Sequence, residues 1–178
     1  MNLEIVRFGT TTSDDVSPLS AELRGLGFEV DEGVGFEKSA DVVAGLSVVV
    51  WLVTDETARE FVRLGLRYLI DWVLGISRTR GATKADIWFR AGGEEGTELR
   101  TSVRSDEPDA LKTIERIVRR LADVGIVTAL EKLPEGERIA YLSLLIGEDI
   151  HCRTGAPKGQ FYFYDTTERK WKPRTQMK

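Results

Sequence analysis

The residues with the most chemistry to offer lie close together near the end of the chain: Glu148, Asp149, His151 and Cys152. Two carboxylates beside an imidazole can supply a general base or part of a metal site. Glu148 and Asp149 follow the apolar run Leu142 to Ile146, where burial of one acid would raise its pKa toward acid/base use. His151 is the only histidine and Cys152 the only cysteine. That excludes an intrachain disulfide, a cysteine zinc site and any site of two imidazoles within one chain. Neighbours in an extended segment point to opposite faces, so His151 and Cys152 are not expected to form a thiolate–imidazolium pair. Cys152 reads as a small packing residue. His151, Glu148 and Asp149 stand as the candidate catalytic residues, and neither a metal nor a cofactor is expected.

Other catalytic signatures are absent. No GxxxxGK[ST] string and no GxSxG string occurs. Gly33-Val34-Gly35 and Gly92-Gly93 do not sit between a strand and a helix start, as a phosphate cradle requires. Gly155-Ala156-Pro157-Lys158-Gly159 reads as a turn, because Pro157 removes one of the amides that would hold an anion.

Binding chemistry is better represented. Phe161-Tyr162-Phe163-Tyr164 and Arg169-Lys170-Trp171-Lys172 read as a β-hairpin across Asp165 to Glu168. Alternation puts Phe161 and Phe163 on one face and Tyr162 and Tyr164 on the other. One pair belongs to the core. The other, with Trp171, Arg169, Lys170 and Lys172, would form an exposed aromatic and basic face suited to a protein partner. Such a face also suits single-stranded nucleic acid, the less favoured partner. Residues 151–178 hold seven Lys or Arg against two acids, a local +5 that leaves −9 on residues 1–150. A second candidate surface is the Arg59, Arg63, Arg67 row on a helix.

Several elements must position these residues. Leu3 to Phe8 alternates as a strand. A helix from Asp14 carries Val16, Leu19, Leu23 and Leu26 on one face and ends at Gly25 and Gly27. Phe28 to Val30 is a short strand and Asp31 to Gly35 a loop. Val42 to Val53 is uncharged over twelve residues, too short to span a membrane, which needs about 20. It fits a buried strand or a helix, and periodicity alone does not separate the two. Thr54 caps the clearest helix, with Ala58, Phe61, Val62, Gly65, Leu69, Trp72, Val73 and Ile76 as its stripe and Gly75 as its close. Arg67 and Asp71 pair across one of its turns.

Ala85–Arg90 and Glu98–Arg104 form a hairpin around Gly92, Gly93 and Gly96. Pro108 opens a helix whose stripe is Leu111, Ile114, Val118 and Leu121, and Gly125 stops it. Ile126 to Leu130 reads as a strand, Pro134 to Ile146 as a helix, and His151 to Gly159 as a loop.

Residues 1–124 resemble the effector-associated constant component family of bacterial conflict systems. The resemblance rests on Val42-Val43-Ala44-Gly45-Leu46, on the charged hairpin Ala85 to Arg104, and on the helix opening Asp106-Glu107-Pro108-Asp109-Ala110-Leu111. It implies a non-catalytic module that works beside varied effectors, and it carries no site residue with it.

The expected fold is α+β or mixed α/β: a sheet covered by amphipathic helices, ending in an aromatic β-hairpin. Residues 1–125 form the core domain. Residues 126–178 form an extension packed on it, with a basic tail at 169–178. The hydrophobic fraction of 42% and charged fraction of 30% suit a globular chain. The start of the chain lacks a basic segment followed by an apolar one, so a cytoplasmic location is expected. The expected function is a non-enzymatic protein-interaction component with a protein partner or a second copy of itself, and no membrane. The alternatives are a small enzyme or ligand-binding domain with its site near 148–152, and nucleic-acid binding through the basic hairpin and tail.

Overall fold

The computed structural model describes residues 1–35, 44–81, 83–91, 97–104, 108–133, 139–142, 150–154 and 161–174. Glu148, Asp149 and the turn at 155–159 lie outside them. The elements run β1 (Asn2–Gly9), α1 (Ser13–Gly25), β2 (Glu29–Val34), β3 (Ala44–Leu52), α2 (Asp55–Arg80), β4 (Thr83–Ala91), β5 (Thr97–Arg104), α3 (Pro108–Val124), α4 (Ile126–Glu131), β6 (Ile139–Leu142), β7 (Ile150–Thr154), β8 (Phe161–Asp165) and β9 (Lys170–Pro173).

Among the described residues the strands make one mixed sheet of nine, in the order β2-β1-β3-β4-β5-β6-β7-β8-β9. The pairs β1/β2, β3/β4 and β5/β6 are parallel and the rest antiparallel. The sheet therefore continues without interruption past residue 125. No described helix is long and apolar enough to cross a membrane.

Helices α1 to α4 share one hydrophobic core with one face of the sheet. Leu3 and Ile5 of β1, Leu46, Val48, Val50 and Leu52 of β3, Ile87 and Phe89 of β4, and Leu99 of β5 point into it. Phe61 of α2 sits at its centre, with ring centroids 6.0 Å from Phe28 and 6.2 Å from Phe89. The expected stripe of α2 is buried, together with Leu66. Trp72 is the exception: it lies at the margin, where its indole N–H donates to the Asp15 carbonyl at 2.7 Å. The Arg67–Asp71 pair forms at 3.7 Å between exposed groups and adds little to stability.

Asp15 closes the first turn of α1, accepting from the Thr12 amide and hydroxyl at 2.7 Å each. It also meets Arg80 at 2.8 Å. The Thr12 hydrogen bond, with help from Arg80, holds its carboxyl below the usual range. Arg80 donates to the Thr10 carbonyl as well, so the end of α2 is tied to the start of α1.

One open alternative is decided and four local expectations are corrected. The segment 42–53 is a strand over Ala44–Leu52, because β1 and β4 flank it and take up its backbone hydrogen bonds. The second strand runs on to Val34, since β1 offers it a partner as far as Arg7. The helix α2 does not close at Gly75. It continues to Arg80, burying Ile76, and stops at Gly81, whose φ of 83° is one that L side chains rarely adopt. Within 134–146, residues 139–142 are a strand paired to β5 rather than part of a helix. His151 lies not in a loop but in β7, paired with Phe163.

The remaining correction has the largest consequence. Ile126 to Glu131 is helix α4, not a strand. Gly125, at φ 107°, turns the chain out of α3. Asp55 then caps the new helix from across the core: its Oδ1 accepts the Val127 amide at 2.7 Å and the Thr128 amide at 3.3 Å, and its Oδ2 accepts the Thr128 hydroxyl at 2.6 Å. The β-branched residues prefer a strand, but these bonds and the burial of Ile126, Val127, Ala129 and Leu130 outweigh that preference. Replacing Asp55 with Ala strands these donors and is expected to cost about 1–3 kcal/mol, read as a lower midpoint in urea unfolding. Asp55→Asn, which keeps an acceptor, is expected to cost less.

Candidate interaction surface

Period-two alternation gives β3 a second face. Ser47, Val49 and Trp51 point away from the helices that cover Leu46, Val48, Val50 and Leu52. The register extends this face sideways in rows. Ser47 lies beside Asp86, Val49 beside Trp88, and Trp51 beside Arg90. Trp88 in turn lies beside Arg100, and Arg90 beside Glu98. No described helix packs on this side of the sheet.

The side chains form one interlocked cluster. The Arg90 guanidinium lies 4.7 Å from the centroid of the Trp51 ring. The Arg100 guanidinium lies 4.0 Å from that of Trp88. Glu98 sits between the two arginines, accepting from Arg90 on one oxygen and from Arg100 Nε and Nη2 on the other, at 2.9 and 2.7 Å. Burial pushes the Glu98 carboxyl up, but the hydrogen bonds from Arg90 and Arg100 win and leave it below the usual carboxylate range. It is therefore an anion at neutral pH although only 6% exposed. Lys84 pairs with Asp86 at 3.2 Å. The cluster is thus aromatic and internally paired, with three cations against two anions.

The residues singled out by sequence fall elsewhere. Tyr164 and Trp171 are buried. They pack edge to face, with centroids 5.0 Å apart, in the core under the helices. Trp171 donates its indole N–H to the Ala129 carbonyl of α4 at 2.9 Å. Tyr162, on the same face, is half-buried against that core. The exposed aromatic is Phe161, on the uncovered side. The hairpin therefore takes its tyrosine pair inward, because α4 supplies an apolar wall and a carbonyl for the indole.

Its cations are also committed. Lys172 Nζ reaches Asp165 at 2.5 Å and also meets Glu168, and Lys170 pairs with Glu168. The Lys172 hydrogen bond, with the Glu168 and Thr167 amides, lowers the Asp165 pKa to about 2. Arg169 is exposed in the turn, at φ 50°.

The Arg59, Arg63, Arg67 row is exposed on α2, with Arg63 beside Glu60 at 3.9 Å. His151 is paired in register with Phe163, while Glu148 and Asp149 lie outside the described residues. Among the described residues no group of three His, Cys, Asp or Glu is placed to hold a metal.

Sequence reasoning missed the central cluster. Its signal was present: Trp88, Arg90, Glu98 and Arg100 all occupy the positions opposite Ile87, Phe89 and Leu99 in the hairpin. Which face would stay uncovered depends on where the helices go.

The Tyr164 hydroxyl is buried with no hydrogen-bond partner among the described residues, and burial raises its pKa. A phenol with a raised folded-state pKa favours the fold below its ordinary value near 10 and loses that contribution as pH rises above it. Tyr164→Phe is expected to leave the fold intact, to stabilise it by up to about 1 kcal/mol at neutral pH, and to flatten the loss of stability above pH 10. Urea unfolding across that pH range reads all three effects.

No protein-family model matches the chain, and no curated protein and no solved structure matches it.

Proposed function

We propose that the chain is a non-enzymatic protein-interaction component of the cytoplasm, and that its docking surface is the uncovered face of the sheet around Trp51, Trp88, Arg90, Glu98 and Arg100. One observation carries the reading: two tryptophans lie under two arginines on a sheet face that no described helix covers. Tryptophan and arginine are the residues that dominate binding energy in protein interfaces. Parallel strand pairs are usually covered on both sides, and this sheet contains three.

The chemistry favours a protein over a nucleic acid. Phosphate binding draws on unpaired cations. Here Arg90 and Arg100 share Glu98, Lys84 holds Asp86, and Lys170 and Lys172 hold acids of their own hairpin. A non-catalytic module beside a partner is also what the resemblance to the effector-associated constant component family implies.

Affinity capture from the native host with the tagged chain, followed by titration of the purified partner, tests the proposal. Trp88→Ala is expected to weaken that partner by about 30-fold or more, a loss of about 2 kcal/mol, while Tyr68→Ala on the helical side leaves it unchanged. Equal binding by wild type and Trp88→Ala would sink the reading.

A further inference from the structure

The charge on the uncovered face is graded from one edge of the sheet to the other. On β2 and β1 its positions include Glu29, Asp31 and Glu4, three acids and no base. None of the three makes an ion pair among the described residues. Glu29 and Asp31 are exposed and Glu4 half-buried. At the opposite edge, the β8/β9 hairpin pairs Lys170 and Lys172 with Glu168 and Asp165 and adds Arg169 and Arg174, so four bases stand against two acids and the edge is net positive. The middle is close to balanced: Glu98 is shared by Arg90 and Arg100, which leaves one positive charge there. One edge is thus anionic, the other cationic, and the centre holds the aromatic anchors.

Such a surface is complementary to itself. A twofold axis parallel to the strands and lying over β5, the middle strand of the nine, turns a second copy face down onto the first. That operation sets β1 and β2 of each copy over β8 and β9 of the other. Acids then meet bases at both edges, and the Trp88–Arg100 pairs meet near the axis. Sheets pack in this way about 10 Å apart. At about 4.8 Å per strand the face is roughly 40 Å wide; β3, β4 and β5 run about 27–30 Å and β6 to β9 about 13–17 Å.

We infer that the occupant of the uncovered sheet face is a second copy of this chain, related by a twofold axis over β5. The inference rests on the docking reading of that face and names its partner.

Sedimentation of the full-length chain over a concentration series, at low and at moderate salt, tests it. A dimer that weakens as salt rises is expected. Glu4→Lys with Asp31→Lys, and separately Lys170→Glu with Arg174→Glu, should each raise the dimer Kd about tenfold or more, because like charges then face each other. Mixing the two double variants should restore a dimer with one copy of each. Circular dichroism of each variant confirms that it is folded. A monomer at every concentration and salt, or a dimer indifferent to both charge reversals, overturns the inference, as does oligonucleotide binding by a monomer. The docking reading fails separately: it falls if Trp88→Ala changes neither self-association nor the binding of any captured partner.

Discussion

Asp55 holds this structure together at a point where three parts of the chain meet. Its carboxylate stands at the first turn of α2 and takes two backbone amides and a hydroxyl from the first turn of α4. Those donors have no intrahelical partners, since every helix leaves its first amides unpaired. A buried helix end without acceptors would be costly, and a helix of six residues has little else to sustain it. With Asp55 in place, α4 lies against the sheet and offers the Ala129 carbonyl to Trp171. Trp171 carries Tyr164 and the whole C-terminal hairpin with it. The last two strands therefore depend on a carboxylate more than a hundred residues before them.

This arrangement also decides the character of the two sheet faces. Because α4 receives Tyr164 and Trp171, the hairpin turns its polar side and Phe161 outward, in line with Trp51, Trp88 and the arginines. All four described helices are spent on one face. The other is left with aromatic rings and charges that satisfy one another. Glu98 is central to that balance, since without it two arginines would face each other across neighbouring strands. A surface of this kind is stable in water and still offers apolar area to a protein partner.

Much of the architecture was legible in the residues. The α1, α2 and α3 stripes, the β4/β5 hairpin around its glycines and the C-terminal hairpin all follow from period and turn chemistry. The failures share a cause. Ile126 to Leu130 has a strand's composition, and only a remote acceptor makes it a helix. Gly75 has a stop residue's identity, but nothing requires the chain to turn there, whereas Gly81 takes a left-handed φ. In the hairpin, alternation separates two faces without saying which is inside, so the residues alone left open whether the tyrosine or the phenylalanine pair is buried.

Local pattern thus determined the class of the protein: a mixed α/β chain with amphipathic helices, a sheet, and an aromatic hairpin at its end. Those features depend on the spacing of apolar residues, which is written in the sequence. Tertiary structure alone decided which aromatics are buried, which arginines lie over which tryptophans, and which sheet face the described helices take. Those outcomes depend on strand order and register, and register brings Trp51 of β3 beside Arg90 and Glu98 of a hairpin some forty residues later in the sequence.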